Sequence, residues 1–263
     1  MKKILFLHGF ASSGHSGTVM TLRQLLYADG VSVSAPDLPV MPQEAMALIA
    51  QLIEDERPDV VVTSSMGGLF GEQLHGIPRV LINPAWSMSR LLTFGGMGRR
   101  EFYNKRADGA KDFKVDKEMV AEFKAIEKNT GKGITAEDKQ MVWGLFGDKD
   151  KRVNHQKDFV KLYGKEHFVV FDGEHSLNDK VLSRVVLPIV RELLELHKGG
   201  EWALLITFQI NFRIICYGEL KHAILGTSEK ILIDEIAKFG VENLKVFIRL
   251  SIPHKNELII LVL

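Results

Sequence analysis

The sequence predicts an α/β fold in which a mostly parallel sheet carries helices on both faces. Short apolar runs alternate with helical hydrophobic patterns along most of the 263 residues, and this alternation is typical of βαβ units. Residues 60–62 are three consecutive valines, as expected for a strand that is covered on both faces. A hydrophobic content of 46% is sufficient for a core of this size.

Predicted strands alternate with predicted helices over most of residues 1–197. The strands fall at residues 4–7, 31–34, 60–63, 80–83, 142–146 and 168–171. The helices fall at residues 18–28, 43–56, 67–74, 155–163 and 180–197. Several end near glycine, as at Gly30 and Gly164. Right-handed crossovers then pack the helices back on the sheet.

Two segments interrupt this alternation. Residues 84–140, which we call the cap, insert about 57 residues between two strands, whereas such connections usually have about 2 to 6. A functional, helical cap is expected there, with a helix at residues 117–127. The composition changes again after residue 198. We therefore expect one domain at residues 1–198, with the cap inserted, and a C-terminal appendage at residues 199–263.

The appendage is predicted to mix strands and one helix. A strand with two unlike faces is expected at residues 203–217, and a helix at 231–239 follows Ser228 as N-cap and ends at Gly240. Further strands are expected at residues 244–250 and 258–263. The apolar face of the first strand is expected to extend a sheet edge, pack on the body or pair with a second chain to form a homo-oligomer.

Composition and charge exclude several classes of protein. The 34 Lys and Arg against 33 Asp and Glu leave a net charge of +1, which removes the electrostatic case for a dedicated nucleic-acid binder. The single cysteine, Cys216, cannot form an internal disulfide. Residues 4–7 are too short for a signal peptide, and no run reaches the roughly 20 apolar residues of a membrane span. We expect a cytoplasmic protein without a membrane partner.

Ser65 is the candidate nucleophile. The third predicted strand runs into Ser64-Ser65-Met66-Gly67-Gly68 and then a helix, which is the context of a nucleophile elbow. Gly67 matches the last glycine of the pattern G-x-S-x-G, whereas Thr63 replaces the first. The alternative is a helix start without any catalytic role.

The loop after the first strand is expected to lie beside Ser65. Ligands of open α/β sheets bind beyond the carboxyl ends of the strands, where loops from neighbouring strands converge. The backbone N–H groups of Phe10 and Met66 are therefore the candidate oxyanion donors. His8 is interpreted as an organiser of this loop that also lines the pocket, because a histidine so close to its strand has limited reach as a base.

Acidic residues and a histidine follow the last two strands. His175 is the candidate base, and Asp148 and Asp150 are the candidate acids that orient it. We favour Asp150, because Val153 can anchor its loop under the site, and we interpret Asp148 as a turn former. A serine hydroxyl needs an imidazole to accept its proton, and a carboxylate fixes the imidazole tautomer. Ser, Asp, His is also the chain order that accompanies a nucleophile elbow in an open α/β sheet.

Five segments of the chain together resemble one known family. They are His8-Gly9-Phe10-Ala11-Ser12-Ser13, Ser64-Ser65-Met66-Gly67-Gly68, Ile82-Asn83-Pro84-Ala85, Gly147-Asp148-Lys149-Asp150 and Gly173-Glu174-His175. The sequence resembles the small bacterial YqiA-like esterases of the α/β-hydrolase superfamily over about residues 1–197. The resemblance implies a cytoplasmic serine hydrolase without metal or organic cofactor, acting on carboxylic esters or acyl-CoA thioesters, with Ser65, Asp150 and His175 as its catalytic triad. It does not extend to residues 199–263.

The cap is expected to shape the substrate pocket. Its candidate pocket residues are apolar: Trp86, Met88, Leu91, Leu92, Phe94 and Phe102. Such residues are equally compatible with an ordinary core. Residues 98–114 hold six basic side chains and three acidic ones, so this stretch can attract a phosphate or carboxylate group of a substrate. A solvated face is the alternative that we favour for these charges.

Other functions fit the sequence less well. Asp148 and Asp150 are suitably spaced to hold Mg²⁺ for phosphoryl transfer, but no nucleotide-binding loop is present. The nine histidines form no H-E-x-x-H motif or Cys/His cluster, so no metal site is expected. A non-catalytic binding protein that keeps the hydrolase fold is the remaining alternative.

Overall fold

The structure is a computed structural model that describes residues 1–195, 248–249 and 260–261. The chain divides into two units, Met1–His197 and Lys198–Leu263. The first unit contains eight strands in its described part: β1 (Lys3–Leu7), β2 (Ser32–Ser34), β3 (Val60–Ser64), β4 (Arg79–Ile82), β5 (Gly98–Glu101), β6 (Asp112–Val115), β7 (Val142–Gly147) and β8 (Phe168–Phe171). Six of them form one sheet in the order β2-β1-β3-β4-β7-β8.

All neighbouring strands of this sheet are parallel. The six sheet strands are those that the sequence predicts, within one or two residues at each end. The predicted α/β fold with a mostly parallel sheet is therefore confirmed. The order of the strands brings the carboxyl ends of β1, β3, β4, β7 and β8 to one edge.

Helices cover both faces of the sheet. Outside the cap they are α1 (Gly17–Tyr27), α2 (Pro42–Glu56), α3 (Met66–Glu72), α7 (Gln156–Tyr163), α8 (Asp179–Val181) and α9 (Leu187–Leu193), and a π-helical turn at Leu182–Val186 joins the last two. The cap supplies α4 (Met88–Gly95), α5 (Lys117–Glu127) and α6 (Ala136–Met141). The predicted helix at residues 180–197 is thus interrupted, and residues 196–197 lie outside the described part.

The period of two along each strand divides the core into two clusters. On β1, Leu5 and Leu7 pack with α2, α3, α5 and α7, whereas Ile4 and Phe6 pack with α1 and α9 on the other face. All four side chains are at most 1% exposed. Burial on both faces explains why these strands are continuous apolar runs and not alternating ones.

The cap is not purely helical, contrary to the prediction. Strands β5 and β6 form an antiparallel hairpin in which Arg99 lies opposite Lys114. The hairpin was missed because the sequence Gly-Arg-Arg-Glu of β5 has no apolar alternation. Helix α5 has the predicted bounds and begins after Asp116, whose carboxylate accepts the N–H of Met119 at 3.1 Å.

In the second unit, β9 (Ile248–Arg249) pairs antiparallel with β10 (Ile260–Leu261). The two pairs of residues fall within the strands predicted at 244–250 and 258–263. The strand predicted at residues 203–217 and the helix predicted at 231–239 lie outside the described residues. The domain boundary between residues 198 and 199 stays a prediction.

Candidate active site

Ser65, His175 and Asp150 form a continuous hydrogen-bonded chain. Ser65 Oγ lies 2.9 Å from His175 Nε2, and Asp150 Oδ2 lies 2.7 Å from His175 Nδ1. Because a carboxylate accepts hydrogen bonds, Nδ1 carries a proton and Nε2 keeps its lone pair toward the serine hydroxyl. The Asp150 side chain is 3% exposed, so its charge is largely shielded from water. This arrangement can remove a proton from Ser65.

The backbone at Ser65 is strained in the way that a sharp strand-to-helix turn requires. Its φ is +55° and its ψ is −116°, between the end of β3 and the start of α3. The helix then passes so close to β1 that a Cβ at Gly67 would lie 2.1 Å from the carbonyl oxygen of Leu7. Only glycine fits at this position, which explains why the last glycine of the motif is present.

Thr63, which replaces the first glycine of the motif, is accommodated without an unpaired polar group. Its side chain is fully buried, and its hydroxyl donates to the carbonyl oxygen of Val80 at 3.1 Å. A Cβ at Gly71 would lie 2.6 Å from the methyl group of Thr63. The side chain of Thr63 therefore occupies space that Gly71 of α3 leaves open, so the motif does not need a glycine at this position of β3.

The loop after β7 distinguishes the two candidate acids. Oδ1 of Asp150 accepts the N–H groups of Arg152 and Val153, at 2.8 and 3.1 Å, while Oδ2 faces His175. Val153 is partly buried and packs against the core cluster that includes Leu7. Asp148 instead accepts the N–H of Gly173 at 3.0 Å and stabilises the turn. The structure thus brings Asp150, and not Asp148, to the imidazole.

The two predicted oxyanion donors are free to bind a ligand oxygen. Within residues 1–195, neither the N–H of Phe10 nor that of Met66 has an acceptor. Met66 is the first residue of α3, where N–H groups have no partner in the helix. Gly9, directly before Phe10, is so close to Ser65 that a Cβ there would lie 3.2 Å from the Cβ of Ser65. Phe10 also contacts the cap, with its ring centroid 5.2 Å from that of Phe113.

His8 is buried beside this loop. Leu38 N–H donates to Nε2 at 3.0 Å, so Nδ1 carries the proton and donates to the carbonyl oxygen of Gly9 at 2.8 Å. Burial lowers the pKa of His8 to about 4. Both ring nitrogens are occupied, so His8 organises the loop as the sequence predicts.

A cavity of about 930 Å³ opens above the serine. Of the predicted pocket residues, His8, Met88, Leu91 and Leu92 line it together with Ser65 and His175, whereas Phe94 and Phe102 do not. The cavity also contains residues that the sequence analysis missed, among them Tyr103, Asn104, Arg152 and Asp179. These polar residues lie in loops and helix ends without a motif, so no sequence signal could have found them.

The prediction for Trp86 was wrong. Trp86 does not line the cavity; it is 4% exposed and its ring stacks on Phe159 of α7 at 6.4 Å. Its indole N–H donates to the carbonyl oxygen of Gly68 at 3.2 Å. This hydrogen bond connects the start of the cap to α3. The large apolar ring of Trp86 is buried in the core and does not face the cavity.

Most of the arginines of the cap are engaged within the cap. Arg99 forms an ion pair with Asp112 at 2.5 Å, and Arg106 forms one with Asp108 at 3.0 Å. Arg100 lines the cavity, but its guanidinium donates to the carbonyl oxygens of Gly95 and Gly96. These contacts give the arginines structural roles without any anionic ligand.

Neither a metal-ligand cluster nor a membrane-spanning helix is present among the described residues. Within residues 1–195, 248–249 and 260–261, no three His, Cys, Asp or Glu side chains are grouped so that they could hold a metal ion. In the same part of the chain, no helix has the length and hydropathy required to span a membrane.

Comparison with known proteins identifies a family. The sequence profile described as "Uncharacterised protein family (UPF0227)" matches residues 3–190. No curated protein matches the sequence.

Solved structures resemble the fold at low sequence identity. A structure of the metagenome-derived lipolytic enzymes LipS and LipT has a TM-score of 0.50 and 16% identity, and covers 74% of this chain and 94% of that chain. Est1E from Butyrivibrio proteoclasticus has a TM-score of 0.49 and 15% identity over 74% of this chain and 88% of that chain. An esterase domain from Rhodothermus marinus has a TM-score of 0.49 and 15% identity over 73% of this chain and 87% of that chain. The chain has the α/β-hydrolase fold.

Proposed function

From the premise that the chain belongs to the uncharacterised protein family UPF0227, as its YqiA-like motifs predict, we propose that it is a serine hydrolase cleaving carboxylic esters. The observation that carries the proposal is the hydrogen-bonded chain from Ser65 through His175 to Asp150. Two free N–H groups beside the serine support it, since acyl transfer needs both a nucleophile and oxyanion donors.

The first half of the proposed reaction forms an acyl-enzyme. Ser65 Oγ attacks the carbonyl carbon of the ester while its proton passes to Nε2 of His175. Asp150 stabilises the imidazolium, and the N–H groups of Phe10 and Met66 donate to the oxyanion of the tetrahedral intermediate. His175 then returns the proton to the departing alkoxide, which leaves as an alcohol while Ser65 keeps the acyl group.

The second half regenerates the enzyme. His175 removes a proton from water, whose oxygen attacks the acyl carbon, and the same N–H groups stabilise the second oxyanion. Proton return to Ser65 Oγ releases the carboxylic acid. A thioester would follow the same path with a thiol as leaving group, and the large cavity suits a small-molecule ester or thioester.

The proposal is tested with a fluorophosphonate probe and a short-chain p-nitrophenyl ester. Ser65→Ala is expected to abolish labelling and to lower kcat/KM by at least about 10³-fold. Ser64→Ala, at the last position of β3 directly before the nucleophile, is the matched control and should keep both activities. Equal labelling and turnover in Ser65→Ala and the wild type would refute the proposal. Absence of both activities in the wild type would favour the non-catalytic binding protein.

A further inference from the structure

Asn83 occupies a special position directly after β4. Its φ is +44°, a left-handed conformation that asparagine tolerates better than most residues, and it is 1% exposed. Its backbone N–H donates to the carbonyl oxygen of Leu145 on the neighbouring strand β7 at 2.8 Å. The residue is thus held at the carboxyl edge of the sheet, where its side chain points across the end of β7.

The amide group of Asn83 joins two loops. Nδ2 donates to the carbonyl oxygens of Glu174 and His175, at 3.0 and 3.1 Å. Oδ1 accepts the N–H of Gly147, at the end of β7, at 2.8 Å. Nδ2 and Oδ1 of the amide thus form three hydrogen bonds in a buried site, where the loss of each bond leaves a polar group without a partner and lowers stability.

These bonds act on the backbone of the proposed catalytic base. Within residues 1–195, Asn83 is the only donor to the carbonyl oxygens of Glu174 and His175. His175 lies four residues beyond the end of β8, so the sheet ladder does not hold it directly. A small displacement of this backbone would move Nε2 away from Ser65 Oγ, now 2.9 Å distant.

We propose that Asn83 is a positioning residue that holds the backbone of His175, and thereby its imidazole, in reach of Ser65. The proposal rests on the serine hydrolase function proposed above. It requires an amide specifically, because a carboxylate of the same shape would keep the bond from Gly147 but place negative charge against two carbonyl oxygens. Proton transfer to a misplaced imidazole is slower, and a misplacement of about 1 Å costs about 10²-fold in rate.

Asn83→Asp separates this role from a purely structural one. At pH 8 we expect kcat to fall about 10²-fold, with KM nearly unchanged and with slower fluorophosphonate labelling. The deficit relative to the wild type should shrink as pH falls, because the introduced carboxyl, when protonated, donates again to one carbonyl oxygen. Asn178→Asp is the matched control: Asn178 caps α8 by accepting the N–H of Val181, which aspartate does equally well.

Asn83→Gly is the second variant. Glycine adopts a positive φ without strain, and the substitution removes the amide that donates to the carbonyl oxygens of Glu174 and His175. It should fold and show a similar loss of kcat. A folded variant of either kind with kcat like the wild type, or a deficit of Asn83→Asp that does not change with pH, would overturn the proposal. Labelling of Ser65→Ala equal to the wild type would instead overturn the proposed function, so the two failures are distinguishable.

Discussion

The backbone N–H of Leu38 donates to Nε2 of His8 inside the protein, 3.0 Å away. The other ring nitrogen donates to the carbonyl oxygen of Gly9, which adjoins Ser65. The imidazole therefore connects the loop after β1 with the chain after β2, and it does so only in its neutral form. Protonation of His8 would turn Nε2 into a donor facing the N–H of Leu38.

His8 is expected to make the fold sensitive to acid. Burial lowers its pKa from 6.5 to about 4, so the unfolded chain binds more protons between these values. Its stabilising contribution is present above pH 6.5 and is lost as pH falls to about 4. The loss is up to about 3 kcal/mol. The loss is measured by urea unfolding of the wild type and of His8→Gln between pH 4 and pH 6.5. The same pH dependence of the unfolding free energy in both proteins would contradict the prediction.

Glu72 is expected to make the fold less stable as the pH rises, which is the opposite of the effect of His8. It accepts the N–H of Gly131 at 2.9 Å, and burial raises its pKa from 4.5 to about 7. The folded state then binds more protons, so its contribution is full below pH 4.5 and is lost as pH rises through 7. At pH 8, Glu72→Gln should be more stable than the wild type by up to about 3 kcal/mol. Denaturant unfolding at pH 8 and pH 4.5 tests this, and the advantage should vanish at the lower pH.

Asp150 and Asp148 are predicted to differ sharply in their effect on turnover. Asp150→Asn should lower kcat by about 10⁴-fold, because an amide at this site favours the wrong tautomer of His175. Asp148→Asn is the matched control. It retains an oxygen that accepts the N–H of Gly173, so kcat should stay near the wild-type value. Steady-state kinetics with a p-nitrophenyl ester measures both, and similar losses in the two variants would argue against Asp150 as the orienting acid.

Gly67→Ala is predicted to destabilise the protein by about 3 kcal/mol or more, because its Cβ would overlap the backbone of Leu7. Gly17→Ala provides the comparison. Gly17 also begins a helix, but a Cβ there meets no atom within 4 Å. That variant should be as stable as the wild type or slightly more stable, since alanine restricts the unfolded chain. Thermal unfolding distinguishes the two, and a fully stable Gly67→Ala would show that α3 can move away from β1.

Substitutions of Trp86 and Leu91 are predicted to have different effects, on stability in the first case and on substrate binding in the second. Trp86→Phe removes the donor to the carbonyl oxygen of Gly68 and should cost about 1 to 3 kcal/mol in unfolding free energy, with KM unchanged. Leu91→Ala should do the reverse, because Leu91 is 37% exposed and lines the cavity. Its KM for a longer-chain p-nitrophenyl ester should rise. A change of KM in Trp86→Phe alone would restore Trp86 to the pocket.

Local patterns in the sequence were sufficient for the sheet and for the candidate triad. Buried strands are short apolar runs, and chemically active residues follow the ends of such runs, so Ser65, Asp150 and His175 could be selected from their positions after predicted strands and from their chain order. The hairpin of β5 and β6 escaped prediction because β5 carries no apolar signal, and because the alternation of Phe113 and Val115 in β6 extends over only four residues.

What the sequence by itself determined is the type and approximate bounds of the main elements, since periodicity and turn residues act over a few positions. Only the tertiary structure decided which side chains meet. The order β2-β1-β3-β4-β7-β8 brings Asn83 within reach of the His175 loop across 92 residues of chain, and contacts with α3 and α7 bury Trp86 in the core. Such pairings depend on how strands are arranged beside one another, and this arrangement leaves no local pattern in the chain.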